Sequence, residues 1–187
     1  FFLASCFMAD ALSRLHQSLG GDLTTQSVTQ LSESLLGIVL PRGFKGRFFL
    51  AGGCFKSIIH GLPPKDLDLW PATKIDRAML LEALQAQGSD WLKDTLFNSV
   101  LRHDSSGLVI EVTTKCFAST LDVLTEFDLD LCCVGAEYAD GSIRSVHVSP
   151  GAVEGAALRE ITVASHFMEH EFNLVTLQRI DRYAEEL

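Results

Sequence analysis

Several absences narrow the chain before any residue is read for chemistry. No Cys-x-x-Cys pair occurs, and the five cysteines (Cys6, Cys54, Cys116, Cys132, Cys133) are odd in number and irregularly spaced. That pattern argues against a zinc site and reads as free thiols in a reducing compartment, so a cytoplasmic protein is expected. No apolar run reaches membrane-spanning length, and no membrane partner is expected. The opening FFLASCFMADALSRL is apolar but has no basic leading stretch, so it does not read as a signal peptide. Met8-Ala9-Asp10 reads as an ordinary start, with residues 1–7 upstream of it. Basic residues are scarce: 15 Lys and Arg stand against 24 Asp and Glu, a formal net charge of −9. An extended nucleic-acid surface is therefore not expected, because phosphate backbones demand a Lys/Arg face. Internal repeats, low-complexity tracts and linkers are also missing.

What is present is a chain of 187 residues with 47% hydrophobic content, enough for one domain with a real core. Apolar residues at helical spacing predict helices over 9–19 and 25–39, the second capped by Thr24 or Thr25. Residues 1–46 thus read as a helical segment packed on a domain of residues 47–187. In that domain RFFLAG (47–52) predicts a buried strand and Gly52-Gly53 a turn into a short helix, CFKSIIHG, ending at Gly61. DLDLW (66–70) predicts a strand stopped by Pro71, and residues 75–87 a helix. LFNSVLRH and GLVIEVTTKC flank Asp104-Ser105-Ser106-Gly107 as a hairpin; FDLDLCCVGAEY and SIRSVHV flank Ala139-Asp140-Gly141 as another. Helices over 152–160 and 173–186 complete the reading, and strands alternating with helices make the class α/β (α+β).

The chemistry lies where carboxylates interrupt apolar strands. Alternate residues of a strand share a face, so Asp66 and Asp68 project together while Leu67 and Leu69 point the other way. Two carboxylates held side by side repel each other unless one is protonated or a cation sits between them. A hard divalent cation with oxygen ligands, Mg²⁺ or Mn²⁺, answers that problem. The Gly52-Gly53 turn lets backbone N–H groups approach a phosphate at the start of a helix. Glu111, inside the apolar strand GLVIEVTTK, is the candidate third carboxylate, since a lone Glu there needs a reason. Taken singly, an Asp-x-Asp marks many solvated strand ends, and most Gly-Gly pairs mark turns. The combination is more specific: 12 residues separate Gly53 from Asp66 in a strand–turn–helix–strand context.

LAGGCFKSIIHGLPPKDLDL resembles the signature of the nucleotidyltransferase superfamily that includes DNA polymerase β, and is nearest to the head domain of bacterial CCA-adding enzymes and poly(A) polymerases. VIEVTTKCF is similar to the strand carrying that family's third carboxylate, matched by Glu111. EFDLDLCCVGAEYADGSI is similar to its later motif, where Asp128 matches a nucleotide-contacting position. LQRIDRYAEEL resembles its helix of spaced arginines, matched by Arg179 and Arg182. The resemblance implies a nucleotidyltransferase fold, a mixed sheet flanked by helices. It implies metal held by Asp66, Asp68 and Glu111, and nucleotide held by Gly52, Gly53, Lys56, Asp128, Arg179 and Arg182. The expected activity moves an NMP from an NTP, ATP being the expected one, to a hydroxyl on an RNA 3′ end, a protein or a small molecule.

The departures matter as much. The family's Arg-Asp after the glycine turn is Lys56-Ser57 here, which leaves Lys56 as a point charge for phosphate. Glu126-Phe127 replaces the residues before the later Asp, and Phe172–Thr176 carries no Glu-Asp-x-x-Arg base-reading template. The tRNA-binding helical domains that follow the head in that family are not expected here. The chain therefore resembles a compact stand-alone relative of the phage or mobile-element kind rather than a CCA-adding enzyme. The competing reading keeps the fold as a catalytically weak or inactive module that binds nucleotide or protein. Oligomeric state is not legible.

Overall fold

The computed structural model describes residues 22–60, 64–167 and 174–185. The expected 9–19 helix, the helix end at Gly61 and the stretch 168–173 lie outside them. Seven strands form one mixed sheet: β1 (Phe48–Ala51), β2 (Asp66–Pro71), β3 (Ser89–Asp94), β4 (Asn98–His103), β5 (Val109–Thr113), β6 (Val134–Ala139) and β7 (Ser142–Val148). Their order is β3-β4-β5-β2-β1-β6-β7. Only β2 and β5 run parallel; the other neighbours are antiparallel.

Alternation along the central strands separates two cores. Phe48 and Leu50 of β1, Leu67 and Leu69 of β2, and Ile110 and Val112 of β5 share one cluster. Helix α1 (Thr25–Val39) covers it with Val28, Leu31, Leu35, Leu36 and Val39, a stripe at helical period. Thr24 caps α1, its hydroxyl accepting from the Ser27 N–H at 3.1 Å. Leu80 and Leu84 of α3 (Lys74–Ala86) complete the same layer. Phe49 and Ala51 point the other way, into a second cluster with Phe127, Leu129, Cys132 and Tyr183. Beneath it lie α4 (Thr120–Leu124) and Phe117. Both faces of β1 are covered, which is why all four of its residues are buried.

Two expectations fail for identifiable reasons. Strand β3 is not legible because it is a sheet edge, exposed from Asp90 to Asp94, with a bulge between Trp91 and Lys93 that breaks the period of two. The strand expected from Phe127 begins only at Val134. Ahead of it Asp128 pairs with Arg179, and the Asp130 carboxylate accepts from the Thr162 hydroxyl at 2.8 Å. These side-chain bonds hold Asp130–Cys132 in a tight 3₁₀ turn instead. Pro71, read as a stop, is the last residue of β2. No described helix is long and apolar enough to cross a membrane.

Candidate active site

The antiparallel register of β1 on β2 sets Leu50 opposite Leu69, so the end of β1 and the start of β2 meet at one end of the strands, in the middle of the sheet. The glycine turn and the Asp pair are thereby neighbours. Gly52 adopts φ +98°, a conformation that L side chains rarely take. A Cβ there would stand 2.8 Å from Cε1 of Phe127 and 3.2 Å from Oδ2 of Asp68. The turn is therefore a close approach of backbone to a carboxylate. We expect Gly52→Ala to lower the denaturation midpoint, costing about 1–3 kcal/mol through strain and displacement of Phe127; an unchanged urea midpoint would remove that role for the glycine. The chain continues through a single 3₁₀ turn (Gly53–Phe55) into the five-residue α2 (Lys56–His60). So short a helix carries little macrodipole, and side-chain cations must supply most of the positive charge.

The parallel β2–β5 register sets Asp68 directly opposite Glu111. Asp66, Asp68 and Glu111 therefore share a sheet face. Asp66 is exposed, while Asp68 and Glu111 are half-buried. Burial first, then the charges of Asp66 and Glu111, push the Asp68 carboxyl up to about 7, against the pull of Arg179. Glu111 accepts a hydrogen bond from the Asn98 side-chain amide through Oε2. Among the described residues, no three His, Cys, Asp or Glu side chains are gathered so as to hold a metal ion. The backbone thus brings the three carboxylates to one place, and the Glu111 side chain turns toward β4. The donor types suit a hard cation: carboxylates on one sheet face, Asp68 raised by burial and then by the charges of Asp66 and Glu111.

A cavity of about 730 Å³ opens over Asp66 and Asp68. Lys56, Lys65, Arg179 and Arg182 line it, together with the aromatic rings of Trp70, Phe127 and Tyr183. Four of the chain's 15 cations line this cavity, beside the carboxylates of Asp66, Asp68, Glu126 and Glu185. Burial lowers the Lys56 ammonium to about 8. Arg179 and Arg182 come from α6 (Leu174–Ala184), which follows α5 (Pro150–Leu158) among the described helices. Asp128, only 5% exposed, binds Arg179 at 2.5 Å; it is placed to orient that arginine. The site also gathers residues that motif reading passed over: Lys65, Trp70 and Tyr183. Tyr183 was accessible in principle, four residues after Arg179 on a helical pattern. Trp70 packs edge-on against Phe117 and Phe127, with centroids 5.4 and 5.6 Å away.

Thiol chemistry finds no support here. Burial, then Asp68 and Asp66, push the Cys54 thiol well up, and burial does the same to Cys132 and to Cys133, the latter to about 12. The Ser57 hydroxyl is occupied by donation to the Cys54 carbonyl at 2.5 Å. His166 binds the Phe127 carbonyl through Nε2 at 2.9 Å.

The family described as Gad2: Gabija anti-defense 2 family protein matches residues 28–170. No curated protein matches the chain. Solved structures do. A Thermotoga maritima CCA-adding enzyme complexed with tRNA is 14% identical, with a TM-score of 0.51 over 75% of this chain and 38% of that one. A tRNA nucleotidyltransferase complexed with a primer tRNA and an incoming ATP analog is 18% identical, TM-score 0.56, over 84% of this chain and 44% of that one. A tRNA-processing enzyme in an apo form is 17% identical, TM-score 0.57, over 86% and 40%. The chain spans less than half the length of each. At these identities the likeness establishes the fold: a mixed sheet with flanking helices in the nucleotidyltransferase arrangement.

Proposed function

The chain belongs to the Gabija anti-defense 2 family, and on that premise we propose that it is a metal-dependent nucleotidyltransferase, moving an NMP from an NTP, with ATP the expected donor, to a hydroxyl acceptor. One observation carries the reading: a carboxylate pair beside a glycine turn opens into the same cavity as four cations. That combination suits a metal–triphosphate better than either half alone. Asp66 and Asp68 would hold Mg²⁺ or Mn²⁺, with Glu111 as third ligand once it leaves Asn98. When bound, the ion supplies charge neutralisation for the phosphate oxygens. Lys56, Lys65, Arg179 and Arg182 grip the triphosphate, and Gly52 and Gly53 let the backbone approach it.

In the transfer, the acceptor oxygen forms a bond to the α-phosphorus as the bond to the β-phosphate oxygen breaks. Pyrophosphate leaves with the electron pair, and Glu111 takes the acceptor proton. Two of the structural neighbours are complexed with tRNA. Here a net charge of −9 favours a small contact with the acceptor end, be it an RNA 3′ end, a protein or a small molecule. The family description makes components of the Gabija system the first acceptors to test.

Two observations favour the second reading, a nucleotide-binding module: Glu111 is bonded to Asn98, and Lys56-Ser57 stands where the resembled family has Arg-Asp. One experiment separates them. The protein, incubated with each α-labelled NTP, Mg²⁺ or Mn²⁺, and RNA, lysate or Gabija components, is expected to transfer label to an acceptor. Calorimetric binding of NTP with no label transferred across those acceptors and both metals would establish the module instead.

A further inference from the structure

Asn98 opens β4 and, in the β4–β5 register, stands opposite Thr113, which shares a sheet face with Glu111. Its side-chain amide is committed at both ends. Nδ2 donates to Glu111 Oε2, and Oδ1 accepts from the Thr95 hydroxyl at 2.7 Å. Thr95 is itself fixed, its hydroxyl accepting from the N–H groups of Phe97 and Asn98 at 3.1 and 3.0 Å. Thr114 ties the same turn to the end of β5. Its N–H donates to the Phe97 carbonyl at 2.8 Å and its hydroxyl to the Leu96 carbonyl at 2.9 Å. Because Thr95 holds the oxygen end of the Asn98 amide, the donor end faces Glu111. The consequence shows in the cavity. Asp66 and Asp68 are among the described residues that line it; Glu111, directly opposite Asp68 in register, is not.

We propose that Asn98 is a positioning residue that latches Glu111 out of the metal site and releases it only to a divalent cation, so that the third carboxylate joins Asp66 and Asp68 on loading. The inference rests on the metal-dependent reading above. Without a cation, a third carboxylate drawn up to Asp66 and Asp68 adds repulsion, and Glu111 is already among the charges that raise Asp68. A rigid N–H donor takes over part of the cation's task. It gives Glu111 a charge-assisted hydrogen bond and holds it on the β4 side. A divalent cation attracts the same carboxylate more strongly than one amide does, so the ion wins the exchange. Binding nevertheless forfeits the bond to Asn98, and the metal affinity of the latched protein is lower by that amount. A hydrogen bond that merely oriented Glu111 for the ion would act the other way, since its loss would weaken binding.

Mn²⁺ binding, followed by loss of the free-ion EPR signal, is expected to be about tenfold tighter in Asn98→Ala than in wild type. In a Glu111→Ala background the same change is expected to leave Mn²⁺ affinity where it was, because the latched carboxylate is gone. Where Asn98→Ala does not fold, the latch is read in wild type. The ¹⁵N-labelled protein, its Asn98 side-chain amide assigned by triple-resonance spectroscopy, is titrated with Mg²⁺. The amide resonances are expected to move saturably toward their position in Glu111→Ala. Three results overturn the latch and leave the nucleotidyltransferase reading standing: equal or weaker Mn²⁺ binding in Asn98→Ala, tightening that persists in the Glu111→Ala background, or Mg²⁺ binding with the Asn98 amide unmoved. Wild-type and Asn98→Ala protein that both fail to bind Mn²⁺ also overturn the latch, and failure to bind NTP as well overturns both.

Discussion

Replacing Asp68 by Asn raises the melting temperature of the ligand-free protein at pH 8 and changes it little at pH 4. The Asp68 carboxyl is pushed from 3.8 up to about 7, chiefly by burial, then by Asp66 and Glu111. The folded protein therefore binds this proton more tightly than the unfolded chain does. The group's contribution to stability is fully present below about 3.8, falls as pH rises, and is gone above about 7. The gap corresponds to about 4 kcal/mol at pH 8, an upper value because the half-buried carboxylate keeps some solvent screening. At about 2–4 °C per kcal/mol for a chain of this size, the expected gain is on the order of 5–10 °C. Comparing variant with wild type at each pH cancels the titration of all other groups. Adding Mg²⁺ at pH 8 should raise the wild-type melting temperature and leave Asp68→Asn where it was, since the cation relieves a repulsion the variant lacks. A variant less stable than wild type at pH 8 would mean that the carboxylate makes favourable contacts outweighing its burial. The carboxylate-repulsion account of the site would then be wrong.

The second large effect is on rate. With an acceptor identified, Asp66→Asn, Asp68→Asn or Glu111→Gln is expected to lower nucleotidyl transfer by about 10³-fold or more while NTP binding persists in part. Catalysis of this kind is mostly positioning and charge stabilisation, so one lost ligand removes a term made chiefly in the transition state. The cations remain to hold the triphosphate in each variant. Glu111→Gln is the most informative, because Gln can still bond Asn98 and so keeps the β4–β5 contact. Metal binding to the nucleotide-free protein should strengthen as pH rises through about 7, because Asp68 must lose its proton to become a ligand. Transfer that survives Glu111→Gln undiminished would remove Glu111 from the site. Metal affinity unchanged between pH 6 and 8 would remove the role assigned to Asp68.

Much of this protein was determined by the sequence alone, because the signals concerned are local. The period of α1, the alternation in Asp66–Pro71, the Gly52-Gly53 turn and the hairpin at Asp104–Gly107 each depend on residues a few positions apart. Their steric and hydrophobic preferences act without the rest of the chain. The Asp pair on one strand face belongs to the same class. The tertiary structure decided what depends on register and on partners far along the chain. Only the parallel pairing of β2 with β5 puts Glu111 opposite Asp68, and only the approach of β4 turns its carboxylate to Asn98. Asp128 reads as a ligand-facing residue until Arg179, 51 positions later, is seen to hold it, and Asp130 reads as part of a strand until Thr162 claims it. Tyr183 is an ordinary helical aromatic until α2 and α6 meet across its ring. Edge strand β3 escapes because neither face of it is buried enough to impose a pattern on its residues. Local propensity is written residue by residue, whereas the charge balance of a cavity exists only once distant elements have closed around it.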